Sequence, residues 1–352
     1  MGGGRGYLEL IRLSERSTMP GLLSPTAPKP LPPPRTTSTV VDELRRLADN
    51  GDLTLPPPGV DTPRRWAALA ALGRVDLAVA RLAEGHVDAL AILAEAGRPP
   101  VPDALYGVWA ARSGGTGAQL TANGLEGTVR FCSGLTTVDR ALVVATTPGG
   151  DGSTCRLVEV DLSKAGIVRE PERWQAVGMD ATDSGDIRFE GMEVTEDMVI
   201  GPPGWYLSRP GFALGGGGVA AVWLGGTAGV VDDVVALLAG TSTVDEHQLA
   251  HLGAVHTALR GAETLLADAA TRVDATPDAD LALLMSTCRA AAERAAWETL
   301  DRVPRITGAT PLCRDHAFAQ SLADLQVYVR QHHGERDLAA LGRAVLTEAA
   351  AR

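Results

Sequence analysis

The chain has 352 residues, of which 45% are hydrophobic, and a formal net charge of −11. This length and hydrophobic content are sufficient for a large core divided among two or three layers or domains. The acidic balance argues against a nucleic-acid surface, which needs a basic stripe.

No apolar stretch in the sequence reaches the length that spans a membrane, and no secretory signal is visible, so we expect a cytoplasmic protein without a membrane partner. The four cysteines are not spaced as metal ligands, and we therefore expect reduced thiols and no metal site. They are Cys132, Cys155, Cys288 and Cys313.

The first 104 residues divide into a leader and a helical region. Residues 1–38 are rich in Gly, Pro, Ser and Thr, a composition that predicts disorder. Residues 39–104 carry apolar side chains at helical spacing, with capping residues before the helices and glycines at breaks, and they predict a short N-terminal helical domain.

Residues 105–204 change to short segments rich in Val, Ile and aromatics, separated by turn residues. They predict a central antiparallel β-sandwich or barrel rather than βαβ units. From residue 205 to residue 352 the helical period returns in four long amphipathic segments joined by short loops, which predict a four-helix bundle. The fold class is therefore α+β multidomain, with a cleft at the junction of helices and strands as the expected ligand site.

Two sequence features have a structural interpretation. The run of four glycines from Gly215 to Gly218 lacks the lysine and the preceding strand of a phosphate-binding loop, so it predicts close helix packing. Asp180 and Asp183 lie in a predicted turn, where we expect capping roles.

Three segments resemble the acyl-CoA dehydrogenase superfamily, and the likeness extends from about Thr62 onward. The segment "VGMDATDSGDIRFEGMEVTEDMVIG" resembles that family's GMRGSDTxxVxFEDVxVPxxxLLG stretch, "LEGTVRFCSG" its W-[IV]-[ST]-[NG] strand, and "LYGVWAA" its first β-domain strand. The resemblance implies an FAD-containing oxidoreductase that desaturates an acyl thioester, carried by CoA or a carrier protein. It also implies flavin contacts at Trp109, Phe131 and Ser133, and assembly as a homodimer or homotetramer.

The departures from the family concern the cofactor and the catalytic base. The family's ITEPGAGSD segment is reduced to "ARSGGTG" at residues 111–117, and the segments RxxFG and FQxxQ, which hold the FAD pyrophosphate, are missing. The catalytic stretch YEGTxxIQ corresponds to "QHHGERDL", which places His333 at the glutamate position, or Glu335 if the alignment slips by two residues. An imidazole can accept a proton at neutral pH. If His333 acts as the base, we expect it on a helix, facing Ser133 and Phe131.

Three functions remain open at this point. The first is α,β-desaturation by an acyl-CoA dehydrogenase-like flavoprotein. The second is a flavin-dependent monooxygenase on the same fold, suggested by the missing glutamate. The third is a non-catalytic subunit that pairs with a complete homologue as a hetero-oligomer, suggested by the eroded FAD-contact segments.

Overall fold

A computed structural model describes residues 21–23, 35–112, 117–147, 150, 154–276 and 279–350. Most of the predicted leader and the centre of the "ARSGGTG" segment lie outside the described residues. The described part of the chain follows the predicted order of helices, sheet and helices.

The described part of the N-terminal region contains three helices with side-chain caps. They are α1 (Thr37–Asp49), α2 (Thr62–Val75) and α3 (Leu77–Glu95). The Asp76 carboxylate accepts hydrogen bonds from the backbone amides of Ala78 and Val79, 2.8 and 2.9 Å away, and so begins α3 directly after α2. Such a cap satisfies amide groups that have no partner inside the helix.

The central region is one eight-stranded sheet. Its strands are β1 (Tyr106–Trp109), β2 (Gly117–Thr121), β3 (Gly124–Cys132), β4 (Arg140–Thr146), β5 (Arg156–Asp161), β6 (Ile167–Glu170), β7 (Gly185–Met192) and β8 (Val199–Ile200). Seven strands follow the order β6-β7-β3-β2-β4-β5-β8, and β1 also pairs with β4.

The sheet is mixed, which differs from the antiparallel prediction. Both β1 and β2 run parallel to β4: Tyr106–Trp109 pairs with Arg140–Val143, and Ala118 and Gln119 pair with Ala145 and Thr146. The two strands therefore lie end to end along one edge of β4. Strand composition predicts strands but carries no information on which long-range partners they find, so the parallel pairs could not be read from the sequence.

The C-terminal region contains the four predicted long helices and three additional ones. The long helices are α5 (Pro210–Ala239), α6 (Glu246–Ala275), α7 (Ala282–Thr307) and α9 (His316–Tyr328), and the others are α4 (Trp205–Ser208), α8 (Ala309–Arg314) and α10 (Glu335–Ala350). Within the described part of the chain, α5 is long and apolar enough to cross a membrane, but 67% of its most apolar window is buried in the protein. This burial is typical of a central helix of a bundle.

Small residues bring α2 and α5 close together. A Cβ atom at Gly225 would stand 2.0 Å from the Ala70 carbonyl oxygen, and one at Gly217 would stand 2.2 Å from the Trp66 ring. The glycine run at the start of α5 therefore serves helix packing, as predicted from the sequence.

Helix α3 lies between the sheet and the bundle. Its residues Ala89, Ile92 and Leu93 form one apolar cluster with Tyr106 of β1, while Leu77 and Ala80 belong to the core of the bundle. Polar side chains on the remaining face of α3 are thereby held at the junction of the two regions, where a ligand cleft was expected.

Candidate functional site

The end of β3 presents an exposed aromatic ring on a strained backbone. The strand pairing with β7 is irregular between Val129 and Cys132, and Phe131 within this irregularity has φ = 61°. The Phe131 side chain is a large apolar group with 54% exposure. Non-glycine residues with positive φ cost conformational energy, and such positions concentrate at functional sites.

Ser133, the first residue after β3, is joined to Trp109 of β1 and to Ser184. The Trp109 indole Nε1 donates to the Ser133 carbonyl oxygen at 3.1 Å, and the Ser184 hydroxyl donates to Ser133 Oγ at 3.1 Å. The Trp109 ring is buried, with 3% exposure, and its only ring donor is already used. The exposed Phe131 and the half-buried Ser133 can therefore meet a ligand, whereas the buried Trp109 holds the Ser133 backbone in position.

The predicted turn after β6 holds the loop that follows Ser133. Asp183, in a left-handed conformation, accepts from the Thr136 amide at 2.7 Å and from the hydroxyls of Thr136 and Thr137 at 2.9 and 2.7 Å. Asp183 thus has the capping role that the sequence predicted, and it fixes the path of the chain beyond β3.

A cavity is lined by Phe131 and by polar residues of β3, β6, β7 and the turn after β6. It has a volume of about 560 Å³, and its polar lining comes from Thr128, Arg130, Glu170, Arg173, Asp186 and Arg188. The three arginines form ion pairs with neighbouring carboxylates, such as Arg173 with Glu170 at 3.1 Å. Exposed ion pairs are weak, so these guanidinium groups can exchange partners at little cost.

The two histidines before α10 lie outside the predicted helix. Helix α9 ends at Tyr328, a short 3₁₀ turn covers Val329–Gln331, and His332 has an extended backbone. His333 was expected on a helix, but it lies in the segment between α9 and α10. His333 is exposed, its Nδ1 lies 3.3 Å from Asp337 Oδ2, and Glu335 begins α10 on the surface.

His332, in contrast, is buried against α7. Its Nδ1 atom lies 3.9 Å from Glu293 Oε1 and has no hydrogen-bond partner among the described residues. Burial lowers the pKa of His332, against the opposing effect of Glu293. Arg289 holds the same loop, because its Nη2 donates to the Gln331 carbonyl oxygen at 3.3 Å while its guanidinium stacks on the Trp223 ring, 4.7 Å from the centroid.

The junction between α3 and α9 contains a buried group of charged side chains that the sequence analysis did not single out. The Glu84 carboxylate accepts from Arg81 Nη1 and, at 3.3 Å, from the Tyr328 hydroxyl. Burial raises the pKa of Glu84 to about 7, opposed by Arg81 and assisted by Asp88. One turn further along α3, Asp88 accepts from Arg65 Nη2 at 2.9 Å.

A sequence signal for this group exists. Arg81, Glu84 and Asp88 are spaced by three and four residues in a mainly apolar helix, which places them on one face. Their partners Arg65 and Tyr328 come from α2 and α9, and those contacts depend on the tertiary fold.

A cavity opens beside Asp88. It has a volume of about 880 Å³ and lies between α3, the start of α5, and the ends of α6 and α7 that face it. Its walls are mainly apolar, and its charged members are Asp88, Glu95, Arg209 and Asp280. This volume is within the range of small-molecule sites. Among the residues that the structure describes, no group of three or more His, Cys, Asp and Glu side chains is arranged for a metal ion.

No protein-family model and no curated protein sequence matches this chain. Among solved structures, FMN-bound TdsC from Paenibacillus sp. A11-2 superimposes with a TM-score of 0.72 at 20% identity, covering 89% of this chain and 96% of TdsC. KijD3 in complex with FMN and a dTDP-amino-keto-sugar gives a TM-score of 0.76 at 19% identity, covering 94% and 97%. Butyryl-CoA dehydrogenase from Megasphaera elsdenii gives 0.73 at 16% identity, covering 88% and 90%.

The fold of this chain is therefore the acyl-CoA dehydrogenase fold, which confirms the resemblance recognised in its sequence at the level of architecture.

Proposed function

We propose that this protein is a flavin-dependent oxidoreductase. The observation that carries the proposal is Phe131, whose exposed ring is held at positive φ next to Ser133 on the strand that resembles the family's flavin-contacting strand. A strained and exposed aromatic residue in a soluble fold has a physical reason if a planar ligand covers it.

The residues present fit a flavin. The Phe131 ring offers a stacking surface, the Ser133 hydroxyl offers a hydrogen bond, and Trp109 holds Ser133 in position. Arg130, Arg173 and Arg188 in the adjoining cavity can neutralise a phosphate. A bound flavin would supply the electron-transfer chemistry, and the protein would supply its orientation and its surroundings.

FMN fits the chain better than FAD. The sequence lacks the RxxFG and FQxxQ segments that hold an FAD pyrophosphate in the family it resembles, and a single phosphate needs fewer basic groups. Two of the similar structures, TdsC and KijD3, were solved with FMN.

Of the two reaction classes, oxygenation is better supported than desaturation. Desaturation requires a base aimed at the substrate, but His333 is exposed and bound to Asp337, and Glu335 lies on the surface of α10. An oxygenase needs no carboxylate at that position. TdsC is described as a dibenzothiophene monooxygenase, so the fold accommodates this class.

The first test is flavin binding by the purified protein. We expect FMN to bind more tightly than FAD, and Phe131→Ala to weaken FMN binding by roughly tenfold, the value of one aromatic stacking contact at about 1 kcal/mol or more. Leu249→Ala, which removes an exposed apolar side chain on α6, serves as the control and should leave FMN binding unchanged. Titration followed by flavin fluorescence measures the flavin affinity of the wild type and of both variants.

Failure to bind either flavin would contradict the proposal and favour the non-catalytic subunit. If flavin binds, oxygen consumption by the reduced protein supports a monooxygenase, whereas anaerobic flavin bleaching by an acyl thioester supports a dehydrogenase.

The chain is also proposed to form a homo-oligomer, because the exposed Leu338, Val345 and Leu346 on α10 offer an apolar contact surface. Sedimentation of the same samples tests this assembly.

A further inference from the structure

The tripeptide Gly21–Leu23 lies against the helical bundle, although it comes from the segment whose composition predicts disorder. Leu22 is 5% exposed and belongs to the core of the bundle, and Leu23 packs against the same core. The three residues belong to no helix or strand of the described chain. Contacts with side chains of the bundle therefore hold the tripeptide in place.

Side chains from three helices bind both backbone groups of Leu23. Its amide donates to Glu263 Oε1 of α6 at 3.1 Å, and its carbonyl oxygen accepts from Arg74 Nη1 of α2 at 2.8 Å. Asp232 of α5 holds the Nε and Nη2 atoms of Arg74 at 2.6 and 2.8 Å. Proteins bind peptide segments in this manner, through backbone hydrogen bonds for affinity and an apolar pocket for specificity.

The position of Glu263 in the bundle is explained by this backbone contact. Glu263 is 3% exposed and shares its face of α6 with the buried Leu259 and Leu266. A carboxylate in such surroundings is costly unless hydrogen bonds satisfy its oxygens. Its described partners are the half-exposed Arg260 and the Leu23 amide. Departure of the tripeptide would leave Glu263 Oε1 without its donor.

Gly21 allows the close approach of the tripeptide to Glu263. A Cβ atom at Gly21 would stand 2.6 Å from Glu263 Oε1, so a side chain at this position would push the carboxylate away from the Leu23 amide. The contacts therefore select the order Gly-Leu-Leu. The first residue must lack a side chain, the second enters the apolar core, and the third is bound by its backbone.

We propose that α2, α5 and α6 form a peptide-binding site and that Gly21–Leu23 is its built-in, displaceable occupant. The contact consists of one buried leucine and two hydrogen bonds to charged groups, and this gain is similar in size to the entropy lost when three residues become ordered. The occupied and vacant states are therefore close in free energy. In the occupied state the tripeptide closes the site to other peptides of the same pattern. This inference is independent of flavin binding.

The first experiment measures amide hydrogen exchange in the wild type by NMR. We expect the Leu23 amide to exchange roughly tenfold or more slowly than an unprotected amide, because Glu263 binds it. It should still exchange much faster than the Leu266 amide inside α6, because the tripeptide leaves without unfolding of the bundle. Unprotected exchange at Leu23 would contradict its docking, and exchange as slow as that of Leu266 would make it a fixed part of the core. Either result would overturn the proposal.

The second experiment adds a labelled synthetic peptide of residues 17–28 to the full-length chain and follows fluorescence anisotropy. In Leu22→Asp the site is vacant, because a carboxylate does not enter the apolar core. We expect this variant to bind the peptide roughly tenfold or more tightly than the wild type, whose tethered occupant competes at a high effective concentration.

Two arginine substitutions in the Leu22→Asp chain test the backbone contact. Arg74→Gln should weaken peptide binding roughly tenfold, the value of one hydrogen bond to a charged group. Arg305→Gln breaks an exposed ion pair with Asp301 on α7 and should leave peptide binding unchanged.

Changes in the peptide test the same contacts without altering the protein. N-methylation at Leu23 removes the donor to Glu263, and Gly21→Val places a side chain against its carboxylate, so each change should weaken binding roughly tenfold or more. Equal affinity of the wild type and Leu22→Asp for the peptide, or equal affinity for the native and N-methylated peptides, would overturn the proposal. If Leu22→Asp does not fold, the exchange experiment on the wild type decides.

Discussion

His86 on α3 is a buried imidazole that the fold keeps neutral. Its Nδ1 accepts the backbone amide of Tyr106 at 3.2 Å, and its exposure is 6%. Burial lowers the pKa of His86 to about 4. A ring nitrogen that accepts a hydrogen bond carries no proton. The bond from Tyr106 and the lowered pKa therefore both correspond to a neutral His86 imidazole.

This state predicts acid sensitivity. Because the folded-state pKa of His86 is below its unfolded value, the stabilisation is present above about pH 6.5 and is lost as pH falls toward about 4. We expect His86 to contribute a loss of about 2 kcal/mol in the free energy of unfolding between about pH 7 and about pH 5. His86→Asn, whose Oδ1 occupies the place of the imidazole Nδ1 and can accept the same bond, should flatten this part of the profile in urea titrations. An unchanged profile in this variant would assign the acid sensitivity to other groups.

At the scale of elements, the contact between α2 and α5 allows almost no added volume. A methyl group at Gly225 would collide with the backbone of Ala70, since the Cβ position is 2.0 Å from its carbonyl oxygen and 2.9 Å from its Cα atom. Backbone atoms cannot move aside as a flexible side chain can, so the two helices must separate.

Gly225→Ala should therefore lower the free energy of unfolding by about 3 kcal/mol, the upper end for overpacking. Gly261→Ala in α6 is the matched control, because nothing lies within 4 Å of its Cβ position. There the gain in helix propensity should raise stability by about 1 kcal/mol. Denaturant unfolding of both variants measures the difference, and equal effects would contradict the close contact.

At the scale of the whole molecule, Arg35 joins three parts of the chain. Its guanidinium binds Asp76 at the start of α3 at 2.6 Å, Asp180 in the turn after β6 at 3.1 Å, and Asp324 of α9 at 2.7 Å. Asp324 is nearly buried, and burial raises its pKa to about 6 despite the opposing effect of Arg35.

Arg35→Met would leave the Asp324 carboxylate buried without its counter-ion, so we expect a loss of about 3 kcal/mol or more in the free energy of unfolding. Adding Asp324→Asn removes the charge and should restore part of the loss. Arg46→Met breaks the exposed ion pair with Glu43 and should change the free energy of unfolding very little, because solvent screens this pair. Urea unfolding measures the free energy of unfolding of each protein. Similar losses in Arg35→Met and Arg46→Met would contradict a special role for Arg35 in joining the three segments.

The sequence by itself determined the order of helices, sheet and bundle, because apolar periodicity and capping residues such as Asp76 are local signals. It also predicted helix packing at Gly215–Gly218 and a capping role for Asp183, because residue type alone favours these roles. Their partners came from the fold: Gly217 packs against Trp66, and Asp183 binds Thr136 and Thr137.

Only the tertiary structure decided which polar residues meet. The parallel pairing of β1 and β2 with β4, the end of α9 before His332, and the contacts of Glu84 with Tyr328 and of Asp88 with Arg65 join segments far apart in the chain. Burial then sets the protonation of these groups, as it does for Glu84, because removal of water penalises charge. Neither long-range contact nor burial is encoded in the spacing of neighbouring residues, so this part of the site required the fold.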